Sequence, residues 1–186
     1  MNVKDVLQKA GVILNGHFLL TSGLHSPIYW EKFKILQYPV YTAQLCQMIA
    51  DHFRQYGVQV VAGPTTGGII LAYEVAKQLG VRGIFAEKES DEHRAFRRGF
   101  SISPGERVLV VDDIITTGKS VHQVVAAVTN QGGTVIGVGV LVNRSEQELD
   151  FAVPFFSCHR AITPAYPASD CPLCRARIPL TKPGNG

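Results

Sequence analysis

The run VLVVDDIITTGKS, from Val108 to Ser120, holds the residue types best suited to chemistry. An apolar strand leads into Asp112 and Asp113, then Ile114 and Ile115, then a Thr116-Thr117-Gly118 turn, then a helix through Lys119 and Ser120. A helix N-terminus presents free N–H groups and a partial positive charge, which suits a phosphate. Thr116, Thr117 and Ser120 add hydroxyl donors, and Gly118 lets the backbone approach closely. The same residue types also cap helices. Gly118-Lys119-Ser120 mimics the end of a Walker loop, but the glycine that motif needs further upstream is replaced by Asp113. Adjacent carboxylates would repel a triphosphate and would instead accept hydrogen bonds from the vicinal hydroxyls of a ribose. A phosphate cradle joined to a diol-binding acid pair describes a ribose 5-phosphate site.

Other candidates lie elsewhere. Arg144 follows a buried strand in VLVNR, where a guanidinium could hold a carboxylate through two parallel hydrogen bonds or merely cap a strand end. Glu87 to Arg98 is a strongly charged insertion containing Lys88, His93, Arg94, Arg97 and Arg98, and reads as a mobile surface loop. The cysteines are Cys46, Cys158, Cys171 and Cys174. Cys171-Pro-Leu-Cys174, with Cys158-His159 upstream, offers four candidate zinc ligands. One C-x-x-C alone is weak, and adjacent Cys-His ligands are geometrically awkward. Lacking a convincing second pair, these cysteines are expected to be reduced thiols, with no stoichiometric zinc.

The elements that must position these residues alternate. Helical spacing covers about Val3 to Ala10, and Tyr41 to Tyr56 after Pro39. Apolar strands are expected at Val58 to Ala62, Gly83 to Ala86, Arg107 to Val111, Thr134 to Val142 and Phe151 to Ser157. Helices are expected at Gly67 to Leu79 and Gly118 to Gln131. Strand–helix alternation argues for an α/β fold with a central, mostly parallel sheet flanked by helices. Ligands in such sheets bind beyond the carboxyl ends of the strands, which points to Gly63–Gly68, Asp112–Ser120 and Asn143–Arg144. Residues 1–38 read as an N-terminal hood segment, 39–162 as the α/β core and 163–186 as a C-terminal tail, in one structural domain overall.

The chain has 186 residues, 46% hydrophobic and 18% charged, with net charge +3. That is long enough to bury a full core. The basic excess is small and dispersed, so no nucleic-acid partner is expected, but it fits an enzyme handling polyanionic substrates. Lys4 and Asp5 interrupt any apolar run near the start, and no stretch is apolar enough to cross a membrane. A cytoplasmic location follows by default, with reduced thiols.

Two hydrophobic residues, two acids, two hydrophobics and Thr-Thr-Gly resemble the phosphoribosyl-diphosphate signature of type I phosphoribosyltransferases. The resemblance implies that Asp112 and Asp113 face the ribose 2′- and 3′-hydroxyls and that Thr116 to Ser120 hold the 5′-phosphate. GHFLLTSGLHSPIYW, from Gly16 to Trp30, resembles the hood of the orotate phosphoribosyltransferases, with Thr21 where enteric members carry Lys. By that resemblance Tyr29, Trp30, Thr116 and Arg144 contact orotate. GPTTGGI resembles the family's diphosphate loop, placing Thr65, Thr66 and Gly67 there, although enteric members have Tyr-Lys where Thr66-Gly67 stands. KESDEH resembles the catalytic loop Lys-Glu-X-Lys-Asp-His. Lys88 and His93 match, while Asp91 replaces the second Lys, leaving Arg94, Arg97 or Arg98 to substitute. The resemblance further implies Mg²⁺, held mainly by substrate, and a homodimer whose loop closes over the partner's site. A purine phosphoribosyltransferase would share the ribose signature without the hood. A phosphoribosyl-diphosphate-sensing regulator would normally add a nucleic-acid-binding element.

Overall fold

The computed structural model describes residues 3–20, 22–31 and 33–183; Thr21 of the hood pattern lies outside them. The helices are α1 (Val3–Lys9), α2 (Phe33–Leu36), α3 (Pro39–Phe53), α4 (Gly67–Leu79), α5 (Lys119–Asn130) and α6 (Pro172–Arg175). The strands are β1 (Ile13–Leu19), β2 (His25–Trp30), β3 (Val60–Pro64), β4 (Arg82–Lys88), β5 (Arg94–Phe96), β6 (Arg107–Ile115), β7 (Thr134–Asn143) and β8 (Phe155–Arg160). The chain divides into two compact units, one drawn from Met1–Ile35 with Ile162–Gly186, the other Leu36–Ala161. The tail, which the sequence sets apart as a third segment, thus belongs with the N-terminal hood.

In the smaller unit β1 and β2 pair antiparallel, with an irregularity between Asn15 and Phe18. The tail returns along this hairpin through bridges Phe18↔Thr181 and His25↔Tyr166. Trp30 Nε1 donates to Thr163 Oγ1 at 3.0 Å, and Ser26 Oγ donates to the Pro164 carbonyl at 2.8 Å.

The larger unit is a six-stranded sheet ordered β5-β4-β3-β6-β7-β8. Its ladders are parallel except β4–β5, which is antiparallel. Strand alternation sorts β6 cleanly. Val108 and Val110 join Val121, Val124 and Val128 of α5 in one apolar cluster. Leu109 and Val111 therefore face the other side. On β7, Gly137 and Gly139 leave room for Phe53 and Ile49 of α3, since a side-chain carbon at either would collide with them.

Three sequence expectations shift. Glu87 to Arg98 is not an irregular loop. β4 runs through Lys88, β5 pairs with it (Glu87↔Ala95, Lys88↔Arg94), and Phe96 is buried as the anchor. The charge of this stretch hid a two-residue apolar grip. β6 continues through both acids to Ile115, because parallel neighbours satisfy its backbone beyond the apolar run. Phe151 is not in the last strand. Ala152 at φ 55° and Pro154 break the chain there, and Phe151 instead packs into the α5 cluster.

Phe53 is fully buried. Phe53→Ala should destabilise the protein by about 3–5 kcal/mol through lost burial and the cavity left behind. Urea denaturation monitored by circular dichroism measures this, and a loss under about 1 kcal/mol would contradict the packing described.

Candidate active site

β3, β6 and β7 are neighbours in the sheet, so the turns at their carboxyl ends lie side by side. The β6–α5 turn carries the acids and the phosphate-binding signature. Asp112 and Asp113 are both buried. Asp112 Oδ1 accepts from the Asp113 amide at 2.8 Å and Oδ2 from Ser120 Oγ at 2.8 Å. Asp113 Oδ1 accepts from the Ile114 amide at 2.6 Å. The two acids are not a side-by-side pair. Asp112 faces α5, and Asp113 faces α4, where a side chain at Gly67 would fall onto its carboxylate. Each carboxylate oxygen has more than one lone pair, so these internal bonds leave acceptor capacity for ligand hydroxyls.

Gly118 is the N-cap of α5 with φ 73°, and no side chain caps the helix. Ser120 is turned to Asp112 instead, and Thr117 Oγ1 meets only the Lys119 amide, at 3.4 Å. Side-chain capping of α5 from this run is thus limited to that one long contact. A left-handed glycine opens the first turn of the helix toward a ligand. Thr116 and Thr117 are exposed there, and Ile115 is buried beneath them.

The β3–α4 turn supplies Thr65, Thr66 and Gly67. Thr65 donates its amide to the Ala86 carbonyl at 3.1 Å, and the Thr65–Thr66 peptide is cis. A side-chain carbon at Gly67 would meet the Asp113 carboxylate as it is placed here, so the backbone of this turn and the acid lie in close contact.

The charged hairpin completes the site. A cavity of about 400 Å³ is lined by Lys88, Asp91, Glu92, Arg94, Lys119, Ser120 and Gln123. Lys88 pairs with Asp91 and Lys119 with Glu92, each at 2.6 Å. Gln123 Nε2 donates to the Asp91 carbonyl at 2.8 Å. Lys88 and Asp91 are exposed, and their contact holds the Asp91 carboxyl below its usual range. Exposed pairs of this kind contribute about 0–1 kcal/mol, so a polyanion can displace the acids. His93 is exposed, and its carbonyl closes the hairpin turn by accepting from Glu89 and Ser90.

Among the three arginines expected to stand in for a Lys at Asp91, Arg94 alone turns inward rather than to a surface acid. Its Nη1 donates to Thr65 Oγ1 at 3.1 Å, and its Nε is buried with no hydrogen-bond partner among the described residues. Burial pulls the guanidinium below its usual range, while nearby Asp112 opposes that shift. A buried donor without a partner marks a position for a missing acceptor. Arg97 and Arg98 are instead engaged by Glu89 and Glu87 at the surface.

Arg144 stands one residue past β7, its amide donating to the Ile115 carbonyl at 2.8 Å. That bond seats it against the phosphate turn. Buried Asn143 accepts from the Ser145 amide at 2.9 Å and from its hydroxyl at 2.6 Å, shaping the bend that carries Arg144. The sequence singles out Asn143 only as part of a strand-end loop, and Ser145 not at all. In the smaller unit, Trp30 is buried with its N–H given to Thr163, and Tyr29 packs against Phe18 with ring centroids 5.7 Å apart.

Cys158 and His159 do not join Cys171 and Cys174. They are adjacent in β8, whose alternation sends their side chains to opposite faces. Cys158 Sγ lies 3.4 Å from the Leu45 carbonyl, and burial pushes its thiol up to about 12. The expectation that the C-x-x-C lacks a second pair is nevertheless overturned: His17 and His25 stand beside it.

Fold and cradle together define a type I phosphoribosyltransferase. Residues 35–162 match the family described as phosphoribosyl transferase domain. Over 183 residues, 98% of this chain and 96% of the relative, the sequence is 51% identical to the orotate phosphoribosyltransferase of Caldanaerobacter subterraneus subsp. tengcongensis. The Thermotoga maritima orotate phosphoribosyltransferase is 41% identical over 98% of this chain and 97% of its own length. The crystal structure of orotate phosphoribosyltransferase from Aeropyrum pernix superposes with TM-score 0.71 at 25% identity, covering 86% of this chain and 93% of that one. The chain belongs to the orotate phosphoribosyltransferase family. Adenine phosphoribosyltransferase from Rhodothermus marinus, at 20% identity and TM-score 0.66 over 85% of this chain and 99% of that one, shares the fold alone.

If Arg94 serves the anion cradle, Arg94→Ala should weaken binding of inorganic diphosphate at least about tenfold, while Arg97→Ala changes it less than about twofold. Isothermal titration calorimetry distinguishes them, and equal losses would remove Arg94 from the cradle.

Proposed function

We propose that the chain transfers the 5-phosphoribosyl group of phosphoribosyl diphosphate to orotate, giving orotidine 5′-phosphate and diphosphate in pyrimidine nucleotide synthesis. The observation that carries the choice of base is the full-length likeness to orotate phosphoribosyltransferases, which takes in the hood as well as the sheet. Arg144, seated against the phosphate turn, supports it, because a guanidinium can hold the orotate carboxylate in a bidentate pair.

In this reading the amides and hydroxyls of Thr116 to Ser120 hold the 5′-phosphate. Asp112 and Asp113 accept the ribose hydroxyls, each from its own side of β6. Lys88, Arg94, Lys119 and His93, with the Thr65-Thr66-Gly67 turn, receive the diphosphate. Thr116 and Arg144 set the base. As the bond from the anomeric carbon to diphosphate breaks, positive charge develops on the ribose while a base nitrogen approaches. The protein contributes alignment and neutralises the leaving group. The buried carboxylates provide hard oxygen donors that suit Mg²⁺. Asp112 or Asp113 would reach, through water, an ion held mainly by the substrate, and that ion would disperse charge on the leaving diphosphate.

We further propose a homodimer in which the Lys88–His93 hairpin serves the neighbouring subunit. The hairpin's polar ties to α5 of its own chain include the exposed Lys119–Glu92 pair and the Gln123–Asp91 hydrogen bond, whose small worth permits release. Among the described residues no helix is long and apolar enough to cross a membrane.

Purified protein with phosphoribosyl diphosphate and Mg²⁺ should turn over orotate far faster than adenine, hypoxanthine, xanthine or uracil; any purine turning over faster would overturn the reading. Arg144→Ala should lower kcat/KM for orotate by about 2–4 kcal/mol of transition-state binding, leaving the KM for phosphoribosyl diphosphate little changed. An unaltered kcat/KM would remove Arg144 from the base site.

Lys88→Ala and Asp112→Asn should each be nearly inactive alone. Unfolded together and refolded, random pairing makes about half the dimers mixed, and each mixed dimer holds one intact site. Activity should return to roughly a quarter of refolded wild type per site. A mixture no more active than the mean of its parents, with mixed dimers demonstrated by mass, would reject the shared site.

A further inference from the structure

The smaller unit contains a side-chain cluster that the transfer chemistry does not use. His17, His25, Cys171 and Cys174 each present one ligand atom, and all four atoms lie within 4.8 Å of one another. His17 Nε2 is 3.0 Å from His25 Nδ1 and 3.5 Å from Cys171 Sγ. Cys174 Sγ is 3.7 Å from His17 Nε2 and 3.2 Å from His25 Nδ1. Three of the four residues are buried, and Cys174 alone reaches solvent.

Ordinary hydrogen bonding does not account for this arrangement. His17 Nδ1 lies 2.7 Å from the Ile178 carbonyl. Donation there fixes the proton on Nδ1 and leaves Nε2 with a single lone pair. Three heavy atoms converge on that lone pair: a second imidazole nitrogen and two sulfurs. One cation at their centre satisfies all four at once. A tetrahedral ion with metal–nitrogen distances of about 2.0–2.1 Å and metal–sulfur distances of about 2.3 Å requires separations of about 3.3 Å between nitrogens and about 3.5 Å between nitrogen and sulfur. The nitrogen–nitrogen separation of 3.0 Å and the nitrogen–sulfur separations of 3.2, 3.5 and 3.7 Å lie within a few tenths of an ångström of those values. The His17 ring also has the carbonyl partner that metal-bound imidazoles ordinarily carry.

The local fold is arranged to bring these atoms together. The irregularity of β1 between Asn15 and Phe18 leaves His17 and Phe18, consecutive residues, both buried. A regular strand would have sent one of them outward. Cys171 precedes the short turn of α6, and the Arg175 amide donates back to the Cys171 carbonyl at 3.2 Å. This folds Cys174 under Cys171.

We propose that His17, His25, Cys171 and Cys174 bind one structural Zn²⁺ that clips the C-terminal tail to the N-terminal hairpin. Two thiolates with two imidazoles in a closed tetrahedral set select zinc over the hard cations that carboxylates prefer. The unit falls short of the size of about 70–80 residues below which an apolar core alone contributes little, so a metal staple across its two distant segments has a structural purpose. The proposal is independent of the transferase reading.

Metal analysis of the full-length protein, purified without chelator, tests it. The expected result is about one zinc per chain, falling below about a tenth in both Cys171→Ser and Cys174→Ser, with Cys158→Ser retaining it. Cobalt loaded in place of zinc should give the intense visible absorption of a tetrahedral thiolate site. Chelation should lower the melting temperature of wild type. If the cysteine variants do not fold, the wild-type zinc content and cobalt spectrum decide alone. Zinc below about a tenth per chain with no tetrahedral cobalt spectrum, or zinc retained in both C-x-x-C variants, would overturn the proposal. A Cys171–Cys174 disulfide in freshly purified protein, shown by mass, would do the same.

Discussion

Two buried carboxylates at the end of β6 are the constraint around which the larger unit is organised. Burying a charge costs several kcal/mol unless it is hydrogen-bonded or paired. Asp112 and Asp113 meet that requirement locally, through the Asp113 and Ile114 amides and the Ser120 hydroxyl. The surroundings then follow. Ser120, inside the first turn of α5, gives its hydroxyl to Asp112, and the N-cap position is Gly118, which has no side chain to cap the helix. Gly67 packs its backbone against the Asp113 carboxylate, which takes the space a side chain would need in this arrangement. Arg94 stands close enough to Asp112 to feel its charge.

Beside these two carboxylates the hairpin of β4 and β5 sets cationic side chains. Phe96 anchors it in the core, with Lys88 at the end of β4 and His93 just before β5. Asp91 and Glu92 pair with Lys88 and Lys119 through exposed contacts worth little. Arg94 differs from these lysines. It is partly buried and hydrogen-bonded to Thr65, so it is held in place.

The smaller unit meets a different physical problem. It joins the first residues of the chain to the last, with a bulged hairpin, a short helix and a tail containing little regular structure. Two backbone bridges, the Trp30–Thr163 bond and the Ser26–Pro164 bond hold the segments together. The histidine–cysteine cluster adds a junction between the same two segments, built from residues that would otherwise be costly to bury.

The sequence by itself determined the alternation of strands and helices, the phosphate turn, its two acids and the Arg at the end of β7. These depend on local spacing and on the rule that ligands gather at strand carboxyl ends. It also narrowed the substitute for a missing Lys to three arginines. Only the tertiary structure set Arg94 apart, because partner and burial are set by strand pairing, not by charge along the chain. The hairpin inside Glu87–Arg98 was obscured for the same reason: Ala95 and Phe96 are too short a run to outweigh eight charged neighbours. Sequence spacing misdirected the cysteine reading most. Cys158-His159 lies nearest in the chain, but strand alternation separates those two side chains, while His17 and His25, more than a hundred residues away, are folded against Cys171 and Cys174. Ligand sets assembled across a chain reversal leave no spacing signature, because the distance that matters is set by packing.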